Sequence, residues 1–570
     1  MNSGLFIGDE EDHGMDNYEK QKADVLVVGG AITGMVAAIR AKELLPEGKV
    51  LVIEKGKASR SGCSNWAGGD ITFVLPEDDV PTLIEKYKVL GDGVADPEWI
   101  EFALTETYAR VMDMVRFGVS FERDSPGNLI RKGGRGGGAL CAISRGADIL
   151  KAIRKTAERM GVTFVDKVVV TDLIRDEHGA AAGVVGFKVG TEEIQPVVFT
   201  GKAVILVTGP VSFKASYIGH RMCTGEGLAM AFRHGAEFMG MEFASGHNTG
   251  PRHFDMSGMA RFVAMGGKFL NAKGEEFMSR YDPVLKNMAG FGTLNFGMAM
   301  EVREGRGPIY FDLTALGPED LKLQKKIIPH TFLALERMNL DISRDRIEWI
   351  PCYNGNRASG AGIRIRKDMS TTIPGLFTGG DCGGKFHYGA NAGYHGMNFG
   401  WCTISGYHAA QSAIAWGRKN PPGTPSEKKI KEILEDLILP SRVKKGISPD
   451  EATVMIQKNL IPYDIIILKH KERLKAAINN LEGLETERIS AQDTHDLMKA
   501  HEAKSMAINA LMILKASLLR EETRGTHHRE DFPKREDSTW GQWLYLKKKG
   551  ERMEFWTEPK DGSRIRVGEL

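Results

Sequence analysis

Apolar positions along this chain cluster in short unbroken runs, and the runs that end in glycine carry the most information. Val25-Leu26-Val27-Val28 leads straight into Gly29-Gly30-Ala31-Ile32-Thr33-Gly34, and Met35-Val36-Ala37-Ala38-Ile39 continues with helical composition. An unbroken apolar run rich in β-branched residues predicts a parallel strand buried on both faces. A glycine turn between that strand and a helix lets a ligand approach the backbone, and the helix start adds N–H donors and a positive dipole end. Val50-Leu51-Val52-Ile53 is the next such run and ends in Glu54. That acid lies roughly twenty residues past the turn, where a dinucleotide-binding unit places its ribose-binding carboxylate. Ala31 stands where the usual pattern has its middle glycine. Strand, turn, helix and acid in register predict an α/β Rossmann-type unit for FAD or NAD.

Further along, Arg60 to Asp70 is irregular and rich in small residues, which suits close backbone approach to a flat ligand. Asp79 to Val119 reads as helical, and a second glycine cluster, Gly133 to Gly138, precedes another helix ending near Ala157. Val168 to Val189 alternates about Glu177-His178-Gly179 as a hairpin does. Two more buried strands follow: one ends in Thr208-Gly209 and one in Gly379-Gly380-Asp381. Lys428 to Leu519 is helical, with Ala503, Met506, Ala507, Ala510, Leu511, Leu514 and Leu518 predicted on one face. From Arg520 the chain is charged and carries Trp540, Trp543 and Trp556, which either dock a partner or pin the tail to its own domain.

Composition narrows the class. The 570 residues allow two or three domains, and 42% hydrophobic content suffices for real cores. A formal net charge of +2 gives no basic field, so nucleic acid is a poor partner. No apolar run approaches the ~18 residues needed to cross a bilayer. The first twenty residues are polar and acidic, a flexible lead-in rather than an export signal. Cys63, Cys141, Cys223, Cys352, Cys382 and Cys402 lie far apart, with no CxxC. That excludes a ferredoxin-type cluster, makes zinc a poor expectation and points to a reducing, cytoplasmic setting. An iron–sulfur centre would therefore belong to another subunit.

The three glycine-ended strands, taken with other motifs, resemble the flavoprotein subunits of fumarate reductase, succinate dehydrogenase and adenylylsulfate reductase. The motifs are the GGAITG turn with Glu54; Thr224-Gly225-Glu226-Gly227; Met241-Glu242-Phe243 before His247-Asn248-Thr249-Gly250-Pro251; Arg303-Glu304-Gly305-Arg306-Gly307; and Arg524-Gly525-Thr526-His527-His528-Arg529. They span most of the chain in the family's order. The resemblance implies an FAD-binding domain in two parts, 21–240 and 352–425, around an inserted α+β capping domain, 241–351. A helical domain, 426–519, and a tail, 520–570, follow. FAD would be held by Gly29, Gly30, Ala31, Gly34, Glu54, Lys55, Ser61, Gly62, Gly68, Gly69, Gly209, Asp381 and Asn398.

Two polar clusters are candidates for substrate chemistry: His247, Thr249, Arg252 and His253, and His387, Tyr388, Tyr394 and His395. By resemblance His247 binds a substrate carboxylate, Arg252 binds or polarises the substrate, and His387, Tyr388 or His395 donates a proton. The departures matter as much. The family's proton-shuttling arginine aligns with Phe291 and its second arginine with Ala392, which argues against plain succinate dehydrogenase chemistry. Gly62 stands where covalent-flavin members have histidine, so FAD is expected without a covalent link. The reading is an FAD-dependent oxidoreductase acting on a small anionic substrate with an iron–sulfur partner subunit. The alternatives are an adenylylsulfate reductase α-like protein, an electron-transfer flavoprotein with no small-molecule turnover and, more weakly, an oxidase.

Overall fold

The computed structural model describes residues 18–133, 138–215, 219–244, 249–353, 355–356, 359–391, 393–484, 486–559 and 562–570. Its central sheet is built on the unbroken apolar runs. Glu19–Val28 lies between Val50–Glu54 and Pro196–Leu206, parallel to both, and Thr163–Asp166 pairs beyond Val50–Glu54. Val25 to Val28 and Val50 to Ile53 are each at most 2% exposed, as strands covered on both faces require. The long strand Pro196–Leu206 serves two neighbours. Its first half carries the hairpin Val168–Arg175 and Ala181–Lys188, and its end pairs in parallel with Leu376–Thr378. Val28, Leu206 and Thr378 therefore finish in register, although the whole cap lies between Leu206 and Thr378 in the sequence. Ligands bind at that carboxyl edge of a parallel sheet.

The helices Ile32–Leu44 and Met397–Lys419 pack together beside this edge; a Cβ on Gly406 would come within 2.5 Å of the Thr33 carbonyl oxygen. Over the edge sits a smaller antiparallel sheet, Gly250–Pro251, Ile347–Ile350, Ile309–Asp312 and Lys268–Leu270. The helices Met259–Ala264, Phe291–Arg303, Pro318–Ile327 and Pro329–Arg337 accompany it, around a core of its own that includes Phe262, Phe269, Phe311 and Trp349.

In the C-terminal third one expectation changes and one open choice is decided. The helix Thr494–Leu519 is not amphipathic: Glu502, Asn509, Met512, Ile513 and Lys515 are buried too, while Leu511 and Leu518 are only partly covered. It is a central pillar with neighbours on most sides. The charged tail is no loose appendage. Leu544–Lys549, Arg552–Thr557 and Ile565–Glu569 extend a sheet begun by Gly362–Ile363 and Phe238–Met239. Trp540, Trp543 and Trp556 are 7%, 6% and 3% exposed, so of the two readings they pin the tail to its own chain. Arg520 binds Glu242 and Glu522, and Arg524 binds Glu522, with all four side chains out of solvent. This buried network ties the start of the cap to the tail. Among the described residues no helix is long and apolar enough to cross a membrane, and no group of three His, Cys, Asp or Glu side chains suits a metal ion.

Candidate active site

A trough of about 90 Å³ opens at the carboxyl edge of the sheet. Its floor is the glycine turn. Gly29 has φ +113°, and a Cβ there would come within 2.3 Å of the Val207 carbonyl oxygen. Gly34 is off the wall; its Cβ would meet the Gly29 carbonyl at 1.9 Å, so its absence lets helix and turn close. Gly30, Ala31, Ser61, Gly62 and Gly209 line the trough with Glu54. Glu54 accepts hydrogen bonds from Gly30 N at 2.8 Å and Gly56 N at 2.9 Å, which aims its carboxylate at the turn. Lys55 also borders the trough, but Glu226 at 2.5 Å and Glu502 at 2.6 Å take up its charge. Burial alone would lower the Lys55 ammonium; the two carboxylates hold it well above the usual range. Gly62 has φ +81° and nothing near its missing Cβ, so that position opens into free space. The trough has what a dinucleotide requires: bare backbone, a helix start and an acid beside it.

The trough adjoins a second cavity of about 240 Å³ beneath the cap, and Cys63, Ser64, Asp381 and Cys402 border both. Gly68, Gly69 and Asn398 line this second space. Asp381 lies 3.1 Å from the Lys385 ammonium. Asn398 accepts a hydrogen bond from the Tyr388 hydroxyl at 2.6 Å. The cap contributes Ser257, Arg261 and Phe291. Arg261 projects from the short helix Met259–Ala264 and pairs with Asp70 of the glycine-rich loop, whose other oxygen lies 2.8 Å from His395 Nε2. Side-chain exposures of 10%, 7% and 16% put Arg261, Asp70 and His395 in a nearly dry wall. Burial alone would raise the Asp70 carboxyl, but the Arg261 charge and the His395 hydrogen bond hold it below the usual carboxylate range.

Reading the sequence anticipated His395 here and Phe291 as an apolar replacement, and both border the cavity. It missed Arg261 and the part played by Asp70. Arg261 sits in a six-residue helix with no motif, and its partner is 191 residues away in sequence. Arg252 requires a correction. It is 57% exposed, its Nη1 binds Glu348 at 2.7 Å, and it is absent from the cavity wall. Pairing of Gly250–Pro251 with Ile347–Ile350 directs it to the outer side of the cap, where His253 shares the same glutamate at 3.2 Å. Tyr388 and His387 are fully buried behind the wall rather than on it. Burial drives the Tyr388 phenol well above its usual range, so it supports Asn398 as a donor. Burial, with Lys385 nearby, drives the His387 imidazole well below its usual range. Neither contacts the cavity as a proton donor would. His247 and Ala392 lie outside the described residues.

Comparison with known proteins agrees with this architecture. The FAD binding domain family matches residues 24–400, and the fumarate reductase flavoprotein C-terminal family matches residues 458–567. One subunit of the fumarate reductase (CoM/CoB) of Methanothermobacter marburgensis is 27% identical, over 94% of this chain and 98% of its own. Among solved structures, E. coli quinol fumarate reductase FrdA superposes with a TM-score of 0.84 at 20% identity, covering 96% of both chains. Adenylylsulfate reductase from Archaeoglobus fulgidus gives 0.79 at 22% identity, covering 97% of this chain and 98% of that one. The carboxyl-edge trough, the cap above it and both family matches lead to one conclusion: this chain belongs to the fumarate reductase and succinate dehydrogenase flavoprotein family and is an FAD-dependent oxidoreductase.

Proposed function

We propose that the chain binds FAD without a covalent link, holds a small oxidised or unsaturated anion between trough and cap, and exchanges electrons with an iron–sulfur partner subunit in the cytoplasm. The observation that carries this reading is the Arg261 guanidinium, nearly out of solvent, which the cap presents on a cavity that shares a wall with the dinucleotide trough. Bound there, FAD supplies the two-electron chemistry. Gly29 to Ala31, Glu54, Ser61, Gly209 and Asp381 are the residues to hold it.

The chain's own part is electrostatic and protonic. Arg261 has five N–H donors, and Asp70 engages its Nη2 group, so others remain for a substrate carboxylate or sulfo group. In a water-poor cavity that attraction exceeds what the same pair gains in water. Asp70 fixes Arg261 and His395 at once, and His395 is placed to hold or pass a proton at Nε2. Phe291 gives the same wall an apolar section with no proton to offer. The partner proposal draws support from the Methanothermobacter marburgensis relative being named as one subunit of its enzyme.

The test is anaerobic reduction of the purified holoprotein, then mixing with fumarate, adenylylsulfate and a panel of unsaturated acids. Rapid return of the oxidised flavin absorbance with one compound is the expected result and identifies the substrate class. Silence from every compound moves the function to a carrier that passes electrons only between proteins.

A further inference from the structure

Ser257 and His330 form a second polar pair at the cavity, in the cap and separate from the Arg261 group. Ser257 lines the cavity and is 5% exposed. Its hydroxyl lies 2.7 Å from His330 Nε2. Its backbone is clamped by one neighbour: Ser257 N donates to Thr331 Oγ1 at 3.0 Å, and Thr331 Oγ1 donates back to the Ser257 carbonyl at 3.0 Å. His330 is the second residue of the helix Pro329–Arg337 and meets the edge of Trp66 with ring centroids 5.5 Å apart. It is half-buried and keeps part of its surface in solvent. The charged group facing it is Arg145, which is paired with Asp148 at 2.7 Å. Burial lowers the imidazole to about 4, and Arg145 adds to the push, so the ring is neutral near pH 7.

A neutral imidazole between a buried hydroxyl and solvent passes protons without carrying net charge: one ring nitrogen gives as the other receives. Resting on the substrate reading above, we infer that Ser257 is the proton donor on the cap side for an α,β-unsaturated carboxylate, and that His330 is the positioning residue that renews its proton from solvent. Saturating a carbon–carbon double bond takes two electrons and two protons. Bound FAD would supply the electron pair and one proton, a hydride equivalent, at one carbon. The second proton goes from Ser257 Oγ to the adjacent carbon. His330 Nε2 returns a proton to the serine oxygen, and the ring regains one from water. In the reverse direction each transfer inverts.

The experiment uses Ser257→Ala and His330→Ala in the full-length holoprotein, with the unsaturated acid that reoxidises wild type. Loss of a positioned general acid predicts a rate fall on the order of 10²-fold in each variant. Wild type stays nearly flat between about pH 6 and about pH 8, because the neutral relay does not titrate there. Ser257→Ala must draw on bulk hydronium and falls about tenfold per pH unit across that range. Added imidazole restores rate to His330→Ala but not to Ser257→Ala. Malonate, followed by its perturbation of the flavin spectrum, binds all three proteins within about threefold, and FAD content is unchanged. An unchanged rate or an unchanged pH profile in Ser257→Ala overturns the inference. So does loss of malonate binding or FAD with the rate, since that makes the pair structural. If adenylylsulfate but no unsaturated acid reoxidises wild type, this inference alone is overturned; if no compound does, the substrate reading fails and this inference falls with it.

Discussion

Asp70 is the residue on which the cavity's electrostatics turn. It joins a cap arginine to a histidine of the FAD-binding domain, and it is the only acid that touches both among the described residues. Its carboxyl is held below the usual range, so its stabilising contribution is complete above the unfolded value of about 3.9 and is lost as pH falls through the lower folded value. Asp70→Asn removes that contribution. Unfolding in denaturant should show the variant less stable at neutral pH, with the gap to wild type closing towards about pH 3. A gap independent of pH would contradict the pairing. At this scale the sequence was legible where geometry is local. Gly29, Gly34 and Glu54 follow from a turn that needs bare backbone and from an acid at a fixed offset. Arg261 was not legible, because only tertiary approach of the cap brings it to Asp70. Arg252 drew attention through two neighbouring histidines, yet strand pairing turned it outward to Glu348.

Among elements, the C-terminal helix and tail show how neighbours redefine a pattern. A stripe of Ala, Met and Leu predicted one buried face on Thr494–Leu519, but packing covers polar positions as well. Asn509 donates to the Gly225 carbonyl at 3.1 Å, and Glu502 holds Lys55 and Lys214, so the helix braces the dinucleotide trough. One of the tail's tryptophans, Trp543, fills space that two glycines vacate. A Cβ on Gly360 would lie 2.4 Å from the Trp543 ring, and one on Gly240 would lie 2.8 Å away. The buried Arg520–Glu242 contact anchors this region where the cap begins, and burial pushes the Glu242 carboxyl up despite the arginine. Arg520→Met leaves that acid and Glu522 short of charge compensation. The expected cost is about 3–5 kcal/mol in reversible unfolding. Adding Glu242→Gln should recover part of it. A single variant as stable as wild type would show the network to be dispensable.

For the whole molecule, the parallel strands and glycine turns announced the dinucleotide domain from sequence alone, while the site needed the cap laid over it. Three strand ends from distant parts of the chain finish in register at Val28, Leu206 and Thr378, and the cap rises from the connection between the last two. That arrangement sets the cofactor trough and the cavity side by side, with Cys63, Ser64, Asp381 and Cys402 as shared wall. Gly62 opens into the trough with no side chain to form a bond. Denaturing the holoprotein and filtering away the polypeptide should therefore leave all flavin in solution. Flavin retained with the chain would mean another residue has taken the covalent role.

The central claim is that substrate binds beneath the cap against Arg261. Its most direct test is substrate-dependent reoxidation of the reduced flavin in Arg261→Met and Arg252→Met, with FAD content measured in both. The geometry predicts that Arg261→Met loses on the order of 10²-fold or more in rate with FAD still bound, as removal of a preorganised charge does. Arg252→Met should match wild type. The opposite pattern, an inactive Arg252→Met beside an unimpaired Arg261→Met, would place the substrate on the outer side of the cap and contradict the account.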